Sequence, residues 1–191
     1  KYNIANGGPA PESVTQKIFE ASTSVAELLT LDTPDLPLDR LGEQQLGSMT
    51  IEVVDPVADY ASLMETLFDF NAIRGLLKTG FTLRFDAMHA VTGPYAIEIL
   101  ERRLGAAPGS VLNATPLPDF GGGHPDPNPV WAKALVDAVM GPDAPDFAAA
   151  SDGDGDRNMV LGQGVYVNPS DSLAVLAANA PLAPGYAGGL R

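Results

Sequence analysis

FTLRFDAMHAVTGPYAIEILERRLGAAPGSVLNA, residues 81–114, decides how the chain is read. FTLRFDA (81–87) is β-prone and reads as a strand. GPYAIEILERRLG (93–105) places apolar residues at helical spacing and closes on Gly105, the residue type that ends helices at least steric cost. SVLNA (110–114) is β-prone again. Strand, helix and strand follow one another within 34 residues.

The alternation continues on both sides. MTIEVVD (49–55) reads as a strand. DPVADYASLMETLFDF reads as a helix with Asp55 as N-cap and Pro56 at the first helical position, and NAIRGLLK is a further short helix. PVWAKALVDAVMG (129–141) has Pro near a helix start and Gly just past its end; Trp131 and Met140 are assigned to the core. DFAAAS (146–151) is a short buried strand, MVLG and VYVN form a small hairpin, and SDSLAVLAANA is a last helix with Ser170 as its cap. Repeated strand–helix order predicts an α/β fold, a mixed, mostly parallel sheet layered with helices. Residues 31–48 and 181–191 are rich in Pro and Gly and read as loop or linker, and Asn6-Gly7-Gly8-Pro9 reads as a turn.

Composition narrows the function classes. The 191 residues carry a formal net charge of −13, which repels polyanions and argues against nucleic acid as a partner. There is no Cys, so disulfides and thiolate metal sites are excluded. No apolar run reaches the roughly eighteen residues of a membrane span, and KYNIANGGPAPES lacks the order of a secretory signal.

The polar loops follow strands: DAMHAVTG after FTLRF, PLPDFGGGHPDPNP after SVLNA, and SDGDGDR after DFAAA. If the three strands are parallel neighbours, these loops converge at their carboxyl ends, where open α/β sheets bind ligands. In SDGDGDR, Asp152, Asp154 and Asp156 alternate with glycines that let the chain curl around an ion. Three close carboxylates repel unless something positive sits between them, and an all-oxygen set favours Mg²⁺ over zinc. An EF-hand would need Gly at the sixth and an acid at the twelfth position, where Arg157 and Gln163 stand. A calcium β-helix would need many copies of the loop, and a solvated turn needs one or two Asp, not three in strict alternation. Arg157 makes sense beside a metal if an anion such as phosphate approaches it.

These motifs resemble the phosphoglucomutases of the α-D-phosphohexomutase superfamily. NIANGGPAPESVTQKIF, FDAMHAVTGPY, PLPDFGGGHPDPN, ASDGDGDRNMVLG and VYVNPSDSLAVLAAN are similar to that family's segments, in its order. The resemblance implies a four-domain enzyme interconverting glucose 1-phosphate and glucose 6-phosphate. A phosphoserine and a glucose 1,6-bisphosphate intermediate carry the phosphoryl group. It implies Mg²⁺ held by the phosphoserine with Asp152, Asp154 and Asp156, and Arg157 binding and positioning phosphate. His89 is either a residue behind the phosphoserine or a packed histidine at a strand end, and His124 takes a structural role in its constrained loop.

By the same resemblance, residues 1–69 match the later part of the first domain, 70–181 the metal-binding second domain, and 182–191 the link toward the third. A serine loop of the type TASHNP does not occur in the sequence. The partners implied are a phosphorylated hexose and the remaining mutase domains, in the cytoplasm or a plastid. The alternative is a non-catalytic structural or interaction protein that reuses a mutase domain in a larger assembly.

Overall fold

The computed structural model describes residues 2–190. Two compact units divide the chain between Val53 and Val54. In the first, the turn at Asn6–Pro9 is real: Asn6 Oδ1 accepts from the Gly8 amide at 2.9 Å, and an antiparallel bridge joins Asn3 to Pro9. Helix α1 (Glu12–Thr23) follows and buries no residue.

The segment expected to be loop over 31–48 contains a strand. β1 (Gly42–Leu46) pairs with β2 (Met49–Val53), leaving only Gly47 and Ser48 as the hairpin turn. Gly47 has φ +62°, which a two-residue hairpin of this kind requires of its first turn residue. GEQQL carries no apolar periodicity, because its pairing rests on the backbone and on Gln45 Nε2 donating to Thr50 Oγ1 at 2.8 Å. No residue of 2–53 is buried.

The second unit holds a five-stranded mixed sheet in the order β4-β3-β5-β6-β7: Val111–Leu112, Leu83–Asp86, Phe147–Ser151, Asn158–Gly162 and Val165–Val167. β3 runs parallel to both β4 and β5, while β6 and β7 add antiparallel. Parallel pairing thus belongs to three strands, and the expected hairpin completes the edge. β5 is buried on both faces from Ala148 onward, which is why FAAAS reads as an apolar run without alternation. Ala148 lies opposite Leu161 and Ala150 opposite Met159, and this row packs under Leu135 and Val139 of helix α5 (Lys133–Val139).

Helix α2 (Pro56–Leu67) starts as expected: Asp55 accepts from the Val57 and Ala58 amides, with Pro56 at the first position. Asp69 caps α3 (Phe70–Lys78) through the Ala72 amide. The helix over 93–105 forms as α4 (Thr92–Ala96) and then widens into a π-helix over Ile97–Arg103. The wider turn brings Glu98 and Arg103, five residues apart, to 3.0 Å, and Arg103 also meets Glu65 at 3.4 Å. α6 (Pro169–Asn179) is capped by Asn168, accepting from the Ser170 amide, and not by Ser170. Asn168 precedes Pro169, whose fixed φ begins the helix, so the cap must stand before it. Trp131 and Met140, expected in the core, are 53% and 48% exposed. α5 starts only at Lys133, which leaves Trp131 in the preceding turn, stacked on His124 at 4.5 Å between ring centroids.

Two glycines should respond oppositely to alanine. A Cβ at Gly93 would lie 1.9 Å from the Ala114 carbonyl oxygen, whereas one at exposed Gly75 in α3 would meet nothing within 4 Å. Gly93→Ala is expected to destabilise by about 3 kcal/mol, the upper range for overpacking. Gly75→Ala should stabilise by roughly 0.5–1 kcal/mol. Urea unfolding of the two variants measures both signs.

Asp146, just before β5, ties it to the start of β3. The Thr82 amide and hydroxyl donate to its carboxylate at 2.8 and 2.9 Å, and these bonds hold its pKa below the usual carboxylate range. A depressed folded pKa stabilises above the unfolded value of about 3.9 and is lost as pH falls through the folded value. The stability gap between wild type and Asp146→Asn should therefore be constant above about pH 4 and close below it. An unchanged gap at pH 2 would show that the charge contributes nothing.

Candidate metal and phosphate site

β3, β4 and β5 are parallel neighbours, so their carboxyl ends lie together at Asp86, Leu112 and Ser151. The loops after them converge as the sequence predicts. The Ala87 amide donates to Leu112 O at 3.0 Å and the His89 amide to Asn113 O at 3.0 Å. Thr92 Oγ1 and Ser151 Oγ share a hydrogen bond of 2.7 Å, and Arg157 Nη1 donates to Asp126 Oδ1 at 3.0 Å. All four non-glycine residues with positive φ, among those described, belong to these loops: Met88, His89, Asn113 and Phe120 at +49° to +55°. Such backbone is sparsely populated and persists only where the surroundings hold it.

Asp86 anchors the first two loops from beneath. It is buried, and its Oδ1 accepts from the Met88 amide at 2.8 Å and from Asn113 Nδ2 at 2.9 Å. His89 Nδ1 lies 3.0 Å from the Thr115 carbonyl oxygen, while the His89 carbonyl accepts from the Leu117 amide. A carbonyl only accepts, so Nδ1 is the donor in this contact.

The acidic loop spans the turn between antiparallel β5 and β6. Asp152 is buried and Asp154 and Asp156 are exposed, and one carboxylate oxygen from each lies within 4.8 Å of the others. Asp152 Oδ1 accepts from the Arg157 amide and Oδ2 from Arg157 Nε, both at 2.9 Å. The Asp152 amide in turn donates to Arg157 O at 3.2 Å, and the Gly155 amide to Asp152 O at 3.2 Å. Burial pushes the Asp152 pKa up, but the amide, guanidinium and charge of Arg157 outweigh it and hold the group below the usual carboxylate range. The same hydrogen bond to Asp152 raises the pKa of Arg157, with the charges of Asp126 and Asp154 adding to it. An all-carboxylate trio with its oxygens already gathered fits a hard divalent cation.

A cavity of about 550 Å³ opens beside the loop. Tyr60, Phe85 and Tyr95 wall it, and Ser151, Asp154 and Arg157 form its polar side. Tyr60 and Tyr95 meet edge to face at 5.3 Å.

The aspartates and Arg157 singled out in the sequence thus come together, whereas the ring of His89 engages the neighbouring loop. The sequence reading missed Asp126, Thr92, Ser151 and the Asp86–Asn113 pair. Asp126 carries one signal, a carboxylate between two prolines in a loop that follows a strand. Thr92 and Ser151 carry none.

The sequence profile described as phosphoglucomutase/phosphomannomutase, alpha/beta/alpha domain II, matches residues 58–164. The chain is 63% identical over 190 residues to the phosphoglucomutase of Rhizobium radiobacter, covering all of this chain and 35% of that protein. It is 53% identical over 192 residues to the chloroplastic phosphoglucomutase 1 of Marchantia polymorpha, covering all of this chain and 29% of that one. The crystal structure of the exocytosis-sensitive phosphoprotein pp63/parafusin (a phosphoglucomutase) of Paramecium, in its open form, superposes with a TM-score of 0.86 at 44% identity. That similarity covers 96% of this chain and 35% of the Paramecium chain. The chain therefore spans about a third of the length of these relatives.

The shape of the acidic loop yields a paired prediction. Gly155 has φ +77°, and a Cβ there would lie 2.7 Å from Thr92 Cγ2. Gly155→Ala should destabilise through both the left-handed backbone and the clash, by about 1–2 kcal/mol for the backbone alone. Adding Thr92→Ser removes the methyl while keeping the hydroxyl toward Ser151, and should recover the clash share only. Denaturant unfolding of the single and double variants checks this; no recovery would refute the contact.

Proposed function

Because the chain belongs to the phosphoglucomutase/phosphomannomutase family, we propose that it forms the metal-binding part of a phosphoglucomutase interconverting glucose 1-phosphate and glucose 6-phosphate. The observation that carries this reading is the gathered trio of Asp152, Asp154 and Asp156 with Arg157 fixed beside it. The reaction would pass through a phosphoserine contributed from outside residues 1–191 and a glucose 1,6-bisphosphate intermediate.

In this reading Asp152, Asp154 and Asp156 hold Mg²⁺. When bound, the metal supplies positive charge that stabilises the transferring phosphoryl group. The work of this chain is positioning and electrostatics. Asp152 is held rigidly by the main chain and side chain of Arg157, so the trio presents one fixed and two exposed carboxylates. Arg157 carries a planar, permanently charged group suited to a phosphate oxygen, and it stands next to the trio. His89 acts on placement: its bonds to Asn113, Thr115 and Leu117 support a role in holding two loops in register.

The domain reading assigns residues 1–69 to the end of a first domain, 70–181 to the metal-binding domain and 182–191 to a link. That residues 2–53 bury no side chain supports taking them as part of a larger domain. Helix α2 packs against α4, the compact unit begins at Val54, and the family match begins at 58. These facts favour drawing the boundary at Val54, ahead of α2. No helix among the described residues is long and apolar enough to cross a membrane. A cytoplasmic or plastid location is proposed; the Marchantia relative is called chloroplastic.

In the intact enzyme that carries this chain, Asp154→Asn should abolish mutase turnover, because it removes one of three ligands. Its exposed position should leave the fold intact, and Mg²⁺ should raise the thermal midpoint of wild type but not of the variant. Turnover retained by Asp154→Asn would sink the assignment. Residues 1–191 alone should form no glucose 6-phosphate.

A further inference from the structure

Arg157 is gripped from two loops. Its Nε donates to Asp152 Oδ2 at 2.9 Å, and its Nη1 to Asp126 Oδ1 at 3.0 Å. Asp126 lies 31 residues earlier in sequence, in the loop after β4. It is itself restrained. Pro125 and Pro127 flank it and limit the backbone on both sides. Its amide donates to His124 O at 2.9 Å, and its Oδ2 accepts from Asn128 Nδ2 at 2.8 Å. Asn128 is fixed in turn, because its Oδ1 accepts from the amides of Val130 and Trp131. The Asp126 carboxylate is thus a fixed point at the end of a short chain of bonds.

Magnitudes decide what this contact is for. The Arg157 side chain is 62% exposed, and that of Asp126 31% exposed. An ion pair in such exposed surroundings contributes little to stability, because water and salt screen it. Fold stability is therefore a weak reason for the pair. Orientation is a stronger one. A long arginine side chain has many rotamers to give up before its guanidinium is localised. A single bond at Nε leaves the guanidinium plane free to swing. A second carboxylate on Nη1 fixes that plane, and so fixes the partner of Asp152 Oδ2.

We propose that Asp126 is a positioning residue: it sets the guanidinium of Arg157, and through it the carboxylate of Asp152, in the arrangement that lets the acidic trio take a divalent cation. This rests on the metal-binding reading of the loop. Asp126 touches neither cation nor substrate in this scheme and acts through Arg157.

The test uses Mn²⁺ as the probe, titrated by electron paramagnetic resonance into the intact protein, together with thermal midpoints measured without metal. Asp126→Ala should weaken Mn²⁺ binding about tenfold, the lower range for residues that orient metal ligands. Its midpoint should move by no more than about 2 °C, as expected for an exposed pair. Asp126→Asn, which keeps an acceptor for Nη1 without the charge, should recover part of the affinity. In an Arg157→Ala background, Asp126→Ala should have no further effect, since the residue through which it acts is gone. Unchanged Mn²⁺ affinity in Asp126→Ala, or an equal loss with and without Arg157, overturns the proposal. If wild type takes no Mn²⁺, or Asp154→Asn binds it equally well, the metal reading fails and this inference falls with it. If those controls behave and the Asp126 variants bind like wild type, this inference alone falls.

Discussion

Asp152 accepts the main-chain N–H of Arg157 on one oxygen and its side-chain N–H on the other, and the six-residue turn between β5 and β6 closes on that pair of bonds. The constraint explains the burial pattern of the loop. A buried carboxylate is costly unless it is paired and hydrogen-bonded, and Arg157 supplies both at once. Asp154 and Asp156 stay exposed, where water can share the work. At separations of 4–5 Å, each like-charge pair costs about 1 kcal/mol in water and about 4 near a protein surface. Pairing of Asp152 with Arg157 and the exposure of the other two both lower the cost of gathering the trio.

The closure is useful only where the sheet puts it. β5 lies between β3 and β6, so its carboxyl end stands next to the ends of the parallel strands β3 and β4. The register that pairs Ser151 with Asn158 fixes where the turn starts and stops. Thr92, at the start of α4, then reaches Ser151, and Asp126 reaches Arg157 from the far side. The strained residues Met88, His89, Asn113 and Phe120 line the same edge. Their backbone is held by Asp86, by the His89 ring and by main-chain bonds between loops, so the local cost is met by packing around it.

Much of this was legible in the residues and some was not, for reasons that differ by element. β3, the helix over 93–105 and β5 announce themselves through periodicity, Gly105 and an unbroken apolar run. The acidic trio is legible because its spacing is itself the chemistry. β1 was invisible, since GEQQL buries no apolar face and is held by backbone pairing and one cross-strand side-chain bond. Trp131 misled because hydrophobicity says nothing of where a helix starts; α5 begins two residues later and leaves the indole stacked on His124. The π-helix, in which Glu98 and Arg103 pair five residues apart and Arg103 also meets Glu65 of α2, is announced by no local pattern. Asp126 depends on a contact between residues 31 apart, and only the strand order brings them together.

Charge at this edge bears on the proposed cation site. Asp126 and Asp152 share the Arg157 guanidinium, and Asp154 and Asp156 are gathered beside them, in a chain whose formal net charge is −13. A field of that sign would repel a phosphate, and Arg157 is committed to two carboxylates, so it cannot offset the field alone. A divalent cation in the trio would offset that charge and place its own where a phosphate oxygen could meet it. In the function proposed above, the arginine and the three aspartates would serve opposite charges, with the metal entering before the phosphate. The grip on Arg157 from two sides fits that proposal, since it holds the guanidinium beside the trio and not between its carboxylates.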